Sequence, residues 1–239
     1  MILAEHTTTA LDSDLLELSR MIAEMGGLAE RQILEAMGAL DKRDQARARQ
    51  VIAADAAIDA MQRTIEARAI EIIVRWQPAV NDLRKIVGIS RIANELERIG
   101  DLAKNIGKRA LAIAGQFQSQ KIVVGVQHMA DQVLGQLKDV LDAYAQQNPE
   151  AALDVWRRDG QIDALYTSLF RELLTYMMED PRNISLCVHL LFCAKNIERI
   201  GDHTTNVAET IYYLATGETL AIERPKNDRS IVAADSGER

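Results

Sequence analysis

The stretch NELERIGDLAKNI, at Asn94–Ile106, returns as KNIERIGDHTTNV at Lys195–Val207. Both stretches contain Glu-Arg-Ile-Gly-Asp, and an offset of 101 residues superimposes them. Self-similarity at a fixed offset is the signature of an internal repeat. The sequence therefore predicts two copies of one unit, residues 1–116 and 117–220. The remaining residues, 221–239, lose helical periodicity and are expected to form a mobile tail.

Apolar residues around both stretches follow the spacing of packed helices. Aromatic residues make up only 4% of the chain and there are four prolines, which is typical of long helices. Breaks are expected at residues 41–44, 77–78, 115–116, 148–149 and 180–181, so each copy contains three helices. The predicted fold class is all-α, with two tandem three-helix bundles packed together as a pseudo-two-fold repeat. The clearest helical seam consists of Ile92, Leu96, Ile99, Ala103, Ile106 and Ala110.

Composition excludes several classes of protein. The formal net charge of −7 and the absence of basic runs argue against binding to nucleic acid. No apolar stretch approaches the ~20 residues that span a bilayer, and no secretion signal is expected at the start. Cys187 and Cys193 lie on different faces of one predicted helix, so we expect no disulfide between them and a cytoplasmic location.

Pairs of carboxylates spaced four residues apart are the unusual feature of the predicted helices. Residues i and i+4 are neighbours on a helix surface, where like charges destabilise it by roughly 0.2–0.5 kcal/mol. An offset of 104 superimposes the first aspartate pair on its counterpart in the second copy. The four pairs are Asp55 and Asp59, Glu97 and Asp101, Asp159 and Asp163, and Glu198 and Asp202.

The turns place the two pairs of each copy at one level. In the first copy the pairs centre on residues 57 and 99, and Pro78 lies midway between them; in the second copy the midpoint falls at Asp180-Pro181. An antiparallel hairpin folded at these prolines would bring four carboxylates together. Oxygen-rich clusters of this kind suit Mg²⁺, Mn²⁺, Ca²⁺ or iron.

Other readings of the carboxylate pairs remain open. Each pair could instead face solvent and form ordinary ion pairs with Arg98 or Arg199, which contribute little. The glycines between the acidic residues could simply allow close helix packing. Asn105 and Asn206 could add amide oxygens to a cation site, and His203 is expected to be exposed.

No pattern in the sequence indicates an enzyme. A di-iron bundle enzyme would carry Glu-x-x-His, but Gly100 and Gly201 stand three residues after the glutamates. The sequence also offers no glycine-rich phosphate loop and no nucleophile–base grouping. We therefore predict a protein without catalytic residues.

These motifs resemble those of the PhoU family of phosphate-transport regulators. The resemblance also rests on RWQPAVNDLR at 75–84, TYMMEDPRNI at 175–184 and LFCAKNIERIGD at 191–202. It implies two three-helix bundles and multinuclear metal clusters at the four carboxylate pairs, with Mg, Mn, Fe, Ca or Zn as the metal. Trp76 departs from the usual basic character of its turn, which puts any polar contact there in doubt.

The resemblance also implies a function and partners. Members of the family act in the cytoplasm as negative regulators of the phosphate-starvation response. They are thought to connect the ATPase of the phosphate ABC transporter to a sensor histidine kinase, with only peripheral association to membrane complexes. A homodimer is expected. The alternative is a metal- or phosphate-binding sensor or storage protein in which the bound ions are themselves the signal.

Overall fold

The computed structural model describes residues 2–115 and 120–220, and these residues form helices and turns only. The predicted tail at 221–239 lies outside the described residues. The first repeat contains three helices and the second contains four. A short 3₁₀ turn at Pro181–Asn183 connects the last two helices of the second repeat. The helices are α1 (Ile2–Lys42), α2 (Gln45–Trp76), α3 (Val80–Ile113), α4 (Gln120–Ala145), α5 (Pro149–Arg157), α6 (Asp159–Glu179) and α7 (Ile184–Thr216).

Local chemistry places the helix ends of the first repeat close to the expected breaks. The Asp44 side chain accepts a hydrogen bond from the Arg47 backbone N–H at 3.0 Å and so caps the start of α2. Gln77 ends α2 in the left-handed region, with φ of 44°. Pro78 follows and cannot continue the helix, so α3 turns back antiparallel to α2.

The second repeat differs from the expected three uninterrupted helices, because its middle helix is broken at Arg158 between α5 and α6. At the break the Gln161 N–H bonds the Arg158 carbonyl three residues back, at 3.0 Å. The same carbonyl accepts a hydrogen bond from the Gln136 side chain of α4 at 3.3 Å. Gly160 lies two residues further on, and glycine is a weak helix former. The other ends agree with expectation, since Asn148 caps α5 and Pro149 is its first residue.

The last helices of the two repeats, α3 and α7, pack against each other and join both repeats into one continuous apolar core. The side chain of Leu214 on α7 fills the space above Gly88 on α3, where a Cβ atom would lie 2.4 Å from Leu214 Cδ2. All six residues of the predicted α3 seam are buried, at most 1% exposed. Within the described part of the chain, no helix is both long enough and apolar enough to cross a membrane.

Candidate metal centre

The first carboxylate cluster lies between α2 and α3, where the expected antiparallel register is observed. Lys104 bonds both Asp55 and Asp101, and Pro78 lies midway between these two aspartates in the sequence. About two helical turns nearer Pro78, the Gln62 side chain donates to Asn94 Oδ1 at 3.0 Å. The two helices therefore bring their acidic residues to one level.

Lys104 places an ammonium group inside the first cluster, which the sequence analysis did not foresee. Its Nζ donates to Asp101 Oδ1 at 2.5 Å and also bonds Asp55 Oδ2. The Asp55 side chain is only 6% exposed, so its charge is compensated from within the protein. Burial alone would lower the pKa of Lys104, but the hydrogen bonds to Asp101 and Asp55 outweigh it and the pKa rises. Lys104 therefore stays charged.

The acidic groups of the first cluster lie near enough to affect the pKa of Glu97. Burial raises the pKa of Glu97, and the negative charges of Asp101, Asp59 and Asp55 raise it further. Arg98 opposes the shift from the solvent side, where its guanidinium lies 3.5 Å from Glu97 Oε2 and 4.0 Å from Asp101 Oδ2. The surface ion pair considered for Arg98 is thus present, but its distances are long and the like-charge repulsion stays in place.

A buried glutamine from α1 completes the first cluster. The Gln32 amide donates to Asp55 Oδ1 and to the Val51 carbonyl, both at 3.3 Å. Its Oε1 atom is buried and has no hydrogen-bond partner. An orphaned amide oxygen beside carboxylates is a donor of the type that hard cations accept.

The second cluster has the same acidic residues without the internal lysine. Asp159, Asp163 and Glu198 are all buried, between 3% and 6% exposed. The position equivalent to Lys104 is Thr205, whose hydroxyl donates to Asp159 Oδ1 at 2.9 Å and lies 3.1 Å from the Gly201 carbonyl. A neutral hydroxyl thus stands where the first repeat has a cation.

Glu198 of the second cluster has one carboxylate oxygen with a hydrogen-bond partner and one without. Its Oε1 accepts a hydrogen bond from Lys195 at 2.8 Å, while its Oε2 is buried with no partner. Burial raises the pKa of Glu198; Lys195 opposes the shift, and the charges of Asp202 and Asp163 add to it. The Lys195 side chain is 43% exposed, so it approaches from the solvent rim. The second cluster therefore keeps a buried carboxylate oxygen that the protein itself does not satisfy.

The glutamine of α1 also has a counterpart, which the sequence analysis missed. An offset of 104 places Gln32 on Gln136 of α4, and both residues are buried with an unpaired Oε1. The signal was present in the repeat, because the same offset superimposes Asp55 on Asp159. The first helix of each repeat, α1 or α4, thus contributes a buried amide side chain near the carboxylates.

As the side chains stand, no three His, Cys, Asp or Glu residues in the described ranges converge closely enough to hold a metal ion. In the first cluster the Lys104 ammonium group lies between Asp55 and Asp101 and would have to move before a metal ion could bind there. The second cluster keeps one buried carboxylate oxygen, Glu198 Oε2, without a hydrogen-bond partner. Metal binding by the eight sequence-identified carboxylates stays a prediction.

His203 and Asn206, which were expected to be exposed or to join a cation site, instead contact the other repeat. His203 is not exposed as expected; its Nδ1 lies 2.7 Å from Glu95 Oε2, and its side chain is 19% exposed. The Asn206 amide nitrogen also donates to Glu95 Oε2, at 3.0 Å. Burial alone would raise the pKa of Glu95, but the hydrogen bonds from His203 and Asn206 outweigh it and lower the pKa. These contacts connect α3 to α7.

Trp76 does make a polar contact, although the sequence left this in doubt. Its indole N–H donates to Asp14 Oδ2 of α1 at 2.8 Å. Arg68 also bonds Asp14, through Oδ1 at 2.9 Å. The carboxylate therefore fastens the end of α2 to α1. The cysteines agree with expectation, since Cys187 and Cys193 are both free and buried.

Comparison with known proteins decides the family. The model of the PhoU domain matches residues 22–110 and residues 126–211, one match in each repeat. The chain belongs to the PhoU family. The matched ranges include all eight carboxylates of the two clusters.

Similar proteins of the PhoU family cover nearly the whole chain. The phosphate-specific transport system accessory protein PhoU homolog of Rhizobium meliloti is 55% identical over 223 residues, which is 93% of this chain and 94% of that protein. The homolog of Caulobacter vibrioides is 46% identical over 226 residues, covering 95% and 98% of the two chains.

Solved PhoU structures share the fold. The crystal structure of PhoU from Pseudomonas aeruginosa has a TM-score of 0.83 at 39% identity and covers 87% of this chain and 99% of its own. The phosphate transport system regulatory protein PhoU from Streptococcus pneumoniae has a TM-score of 0.81 at 28% identity, covering 89% and 100%. The predicted all-α fold of two three-helix repeats is confirmed, apart from the break at Arg158.

Proposed function

We propose that this chain is a cytoplasmic accessory protein of phosphate-specific transport that negatively regulates the phosphate-starvation response. The observation that carries the proposal is the match, over at least nine-tenths of the chain, to relatives named as accessory proteins of that system. In this function the chain acts as an adaptor between the ATPase subunit of the phosphate transporter and a sensor histidine kinase. It associates with these membrane complexes peripherally, modulates phosphate uptake and acts as a homodimer, without a catalytic step.

Cation binding is the second part of the proposal. The chain binds Mg, Mn, Fe, Ca or Zn at its acidic clusters, where buried carboxylates would otherwise repel one another. Support comes from Glu198, whose buried Oε2 has no partner, because an unsatisfied buried carboxylate oxygen costs free energy that a bound cation would recover. The proposed ligands are Asp55, Asp59, Glu97, Asp101, Asp159, Asp163, Glu198 and Asp202.

A second candidate function gives the ions a larger role. In it the chain is a sensor whose bound metal is itself the signal to the kinase. The buried acidic residues favour it, because a cation bound there would change the charge between the helices that form each bundle. The two functions differ in whether partner binding depends on metal.

The adaptor function is tested by deletion and by pull-down. Cells lacking the chain should express phosphate-starvation genes in phosphate-rich medium, and the purified chain should retain the kinase and the transporter ATPase. Normal repression in the deletion strain would contradict the proposed regulation. Pull-down with and without a chelator separates the two candidates, since only the sensor loses its partner when metal is removed.

A charge-matched pair of variants tests the cation site itself. Glu198→Gln with Asp202→Asn removes two charges from the second cluster while preserving side-chain size. Asp131→Asn with Asp154→Asn removes two exposed charges elsewhere and is the control. The first variant should lose bound Mn²⁺ and the control should keep it, as measured by elemental analysis after gel filtration. Equal metal content in both would contradict the cluster as the site.

A further inference from the structure

We propose that the outward face of α3 is a docking surface for an amphipathic helix of a partner protein, one that carries acidic residues beside its apolar stripe. This α3 face consists of Val80, Leu83, Arg84, Val87 and Arg91. The proposed adaptor function supplies the natural partner, and the inference rests on it in that respect.

The α3 face lies between α2 and α7. Residues seven or eleven apart lie on one side of a helix, so Leu83 and Val87 share a side of α3 with Asn94. Asn94 accepts a hydrogen bond from the Gln62 side chain at 3.0 Å, which places α2 along one edge of the face. The other edge borders α7, because both arginines of the face contact Tyr213 there.

The apolar residues of the α3 face are open to solvent and regularly spaced. Val80 is 73% exposed, Leu83 38% and Val87 40%. They stand at i, i+3 and i+7, the spacing of the anchor residues by which one helix packs on another. The face extends roughly 16 Å from Val80 to Arg91 at 1.5 Å per residue, which matches about three turns of a partner helix.

The two arginines of the α3 face are held by an aromatic ring rather than by carboxylates. The Cζ atoms of Arg84 and Arg91 lie 5.5 Å and 5.8 Å from the centroid of the Tyr213 ring. Among the residues that the structure describes, neither forms an ion pair with a carboxylate, whereas Lys85 pairs with an aspartate of the same helix at 3.3 Å. Arg84 also lies against Gly217, where the end of α7 contributes about half a negative charge. Positive charge therefore remains on this face of a chain whose net charge is −7.

Charge and shape together favour an acidic helix over other occupants. Its carboxylates would meet both arginines while its apolar side covers the stripe. A second copy of the chain would bring the same positive surface to this face in a symmetric dimer. A bilayer that met the hairpin end at Pro78 would not reach Arg91, roughly 20 Å further along α3. Residues 221–239 contain four acidic and four basic residues, so their charge does not favour them either.

The second repeat has the same apolar positions without the arginines, and so supplies a control surface. An offset of 101 superimposes two apolar residues of the α3 face on two exposed apolar residues of α7. The same offset replaces the arginines by a serine and a phenylalanine. The matched positions are Leu83 and Ile184, Val87 and Val188, Arg84 and Ser185, and Arg91 and Phe192.

Binding of a designed peptide tests the charge of the face. The probe is a fluorescent stapled helix of about four turns, with leucines at i, i+3 and i+7 and glutamates beside them; a second probe has lysines for the glutamates. The charge variant is Arg84→Glu with Arg91→Glu, and Arg31→Glu with Arg49→Glu at exposed positions elsewhere is its control. By fluorescence anisotropy the unaltered chain and the control should bind the glutamate peptide about tenfold more tightly, and the charge variant should reverse the preference. Equal affinity for both peptides, or no binding to the unaltered chain, would overturn the inference.

The apolar stripe is tested with the same glutamate peptide. Leu83→Gln with Val87→Gln should abolish binding, whereas Ile184→Gln with Val188→Gln on α7 should leave it unchanged. Circular dichroism checks that every variant keeps its helicity. Binding that only the α7 variant loses would overturn the inference.

Cross-linking identifies the occupant. Val80→benzoylphenylalanine places a photoreactive group on the α3 face and leaves the other four residues in place. Illumination should link it to the glutamate peptide. Cross-links to a second chain, to residues 221–239 of the same chain or to lipid of phosphatidylglycerol vesicles in place of the peptide would each overturn the inference.

Pull-down of the proposed partners separates this inference from the adaptor function. The charge variant and the Leu83→Gln, Val87→Gln variant should each lose the kinase or the transporter ATPase. If both variants retain both partners as the unaltered chain does, the inference is overturned and the adaptor function stands. If the unaltered chain binds the peptide as expected but retains neither partner, the adaptor function is contradicted and the docking surface is supported.

Discussion

Two equivalent glycines should respond oppositely to the same substitution. Gly100 and Gly201 occupy matching positions in α3 and α7. Replacing a glycine in a helix by alanine favours folding by up to about 1 kcal/mol if the added methyl group has room. We predict that Gly201→Ala stabilises the protein and that Gly100→Ala does not.

The surroundings of the added Cβ atom decide the sign. At Gly201 the nearest atom would be Ile162 Cγ2 at 3.4 Å, an ordinary contact. At Gly100 the methyl group would lie 2.9 Å from Ile58 Cδ1 and 3.1 Å from Gln32 Oε1. Ile58 and Gln32 are 2% and 4% exposed, so neither side chain has free space to move into.

The magnitude follows from two opposing terms. Overfilling a packed core costs about 1–3 kcal/mol, from which the gain in helix propensity is subtracted. Gly100→Ala should therefore lower the free energy of unfolding by about 0–2 kcal/mol, while Gly201→Ala raises it by about 0.5–1 kcal/mol. Taken at the middle of each range, the free energies of unfolding of the two variants differ by about 2 kcal/mol. For a chain of this size that corresponds to ~4–8 °C in melting temperature.

Thermal melts by circular dichroism in chelator-containing buffer measure this difference without interference from metal. Gly27→Ala in α1 is the control, because no atom lies within 4 Å of its added Cβ. It should behave like Gly201→Ala. If Gly100→Ala melts at or above the temperature of Gly201→Ala, the close packing of α2 on α3 at Gly100 is wrong.

Two further predictions concern single contacts. Trp76→Phe removes the hydrogen bond to the half-buried Asp14 and should lower the free energy of unfolding by about 1 kcal/mol, measured by guanidinium denaturation; an unchanged midpoint would contradict the contact. Cys187 and Cys193 are fully buried, and burial raises the pKa of Cys193 to about 12, so neither thiol should react with Ellman's reagent at pH 8 until the protein is unfolded. Rapid labelling of the native protein would show that α7 is not packed as described.

The sequence predicted the fold and the level of the clusters because both follow from local signals. Proline and aspartate or asparagine marked the helix ends, and the internal repeat made each signal appear twice. The register of α2 on α3 followed from the position of Pro78 alone. Lys104 between Asp55 and Asp101 agrees with that register.

What the sequence did not predict depends on which side chain fills a given space. The contact of Lys104 with the carboxylates could not be predicted, because it depends on how α3 is rotated about its axis relative to α2. Alignment of the two repeats showed only that Lys104 matches Thr205. The break at Arg158 is accompanied by a hydrogen bond from Gln136, a residue of another helix, and Gly160 was the only local signal for it. His203 looked exposed because its partner, Glu95, lies in the other repeat.

The packing of α3 on α7 has a consequence for how the molecule unfolds. These are the helices that carry the acidic residues Glu97 and Glu198, and each also completes the core of the other repeat. Separating the repeats would uncover Gly88 and Leu214 and would leave the Glu95 carboxylate without its donors. We therefore expect the duplicated sequence to unfold as one cooperative unit rather than as two independent halves. The two copies differ in chemistry, as Lys104 and Thr205 show, but we expect both to melt in a single transition.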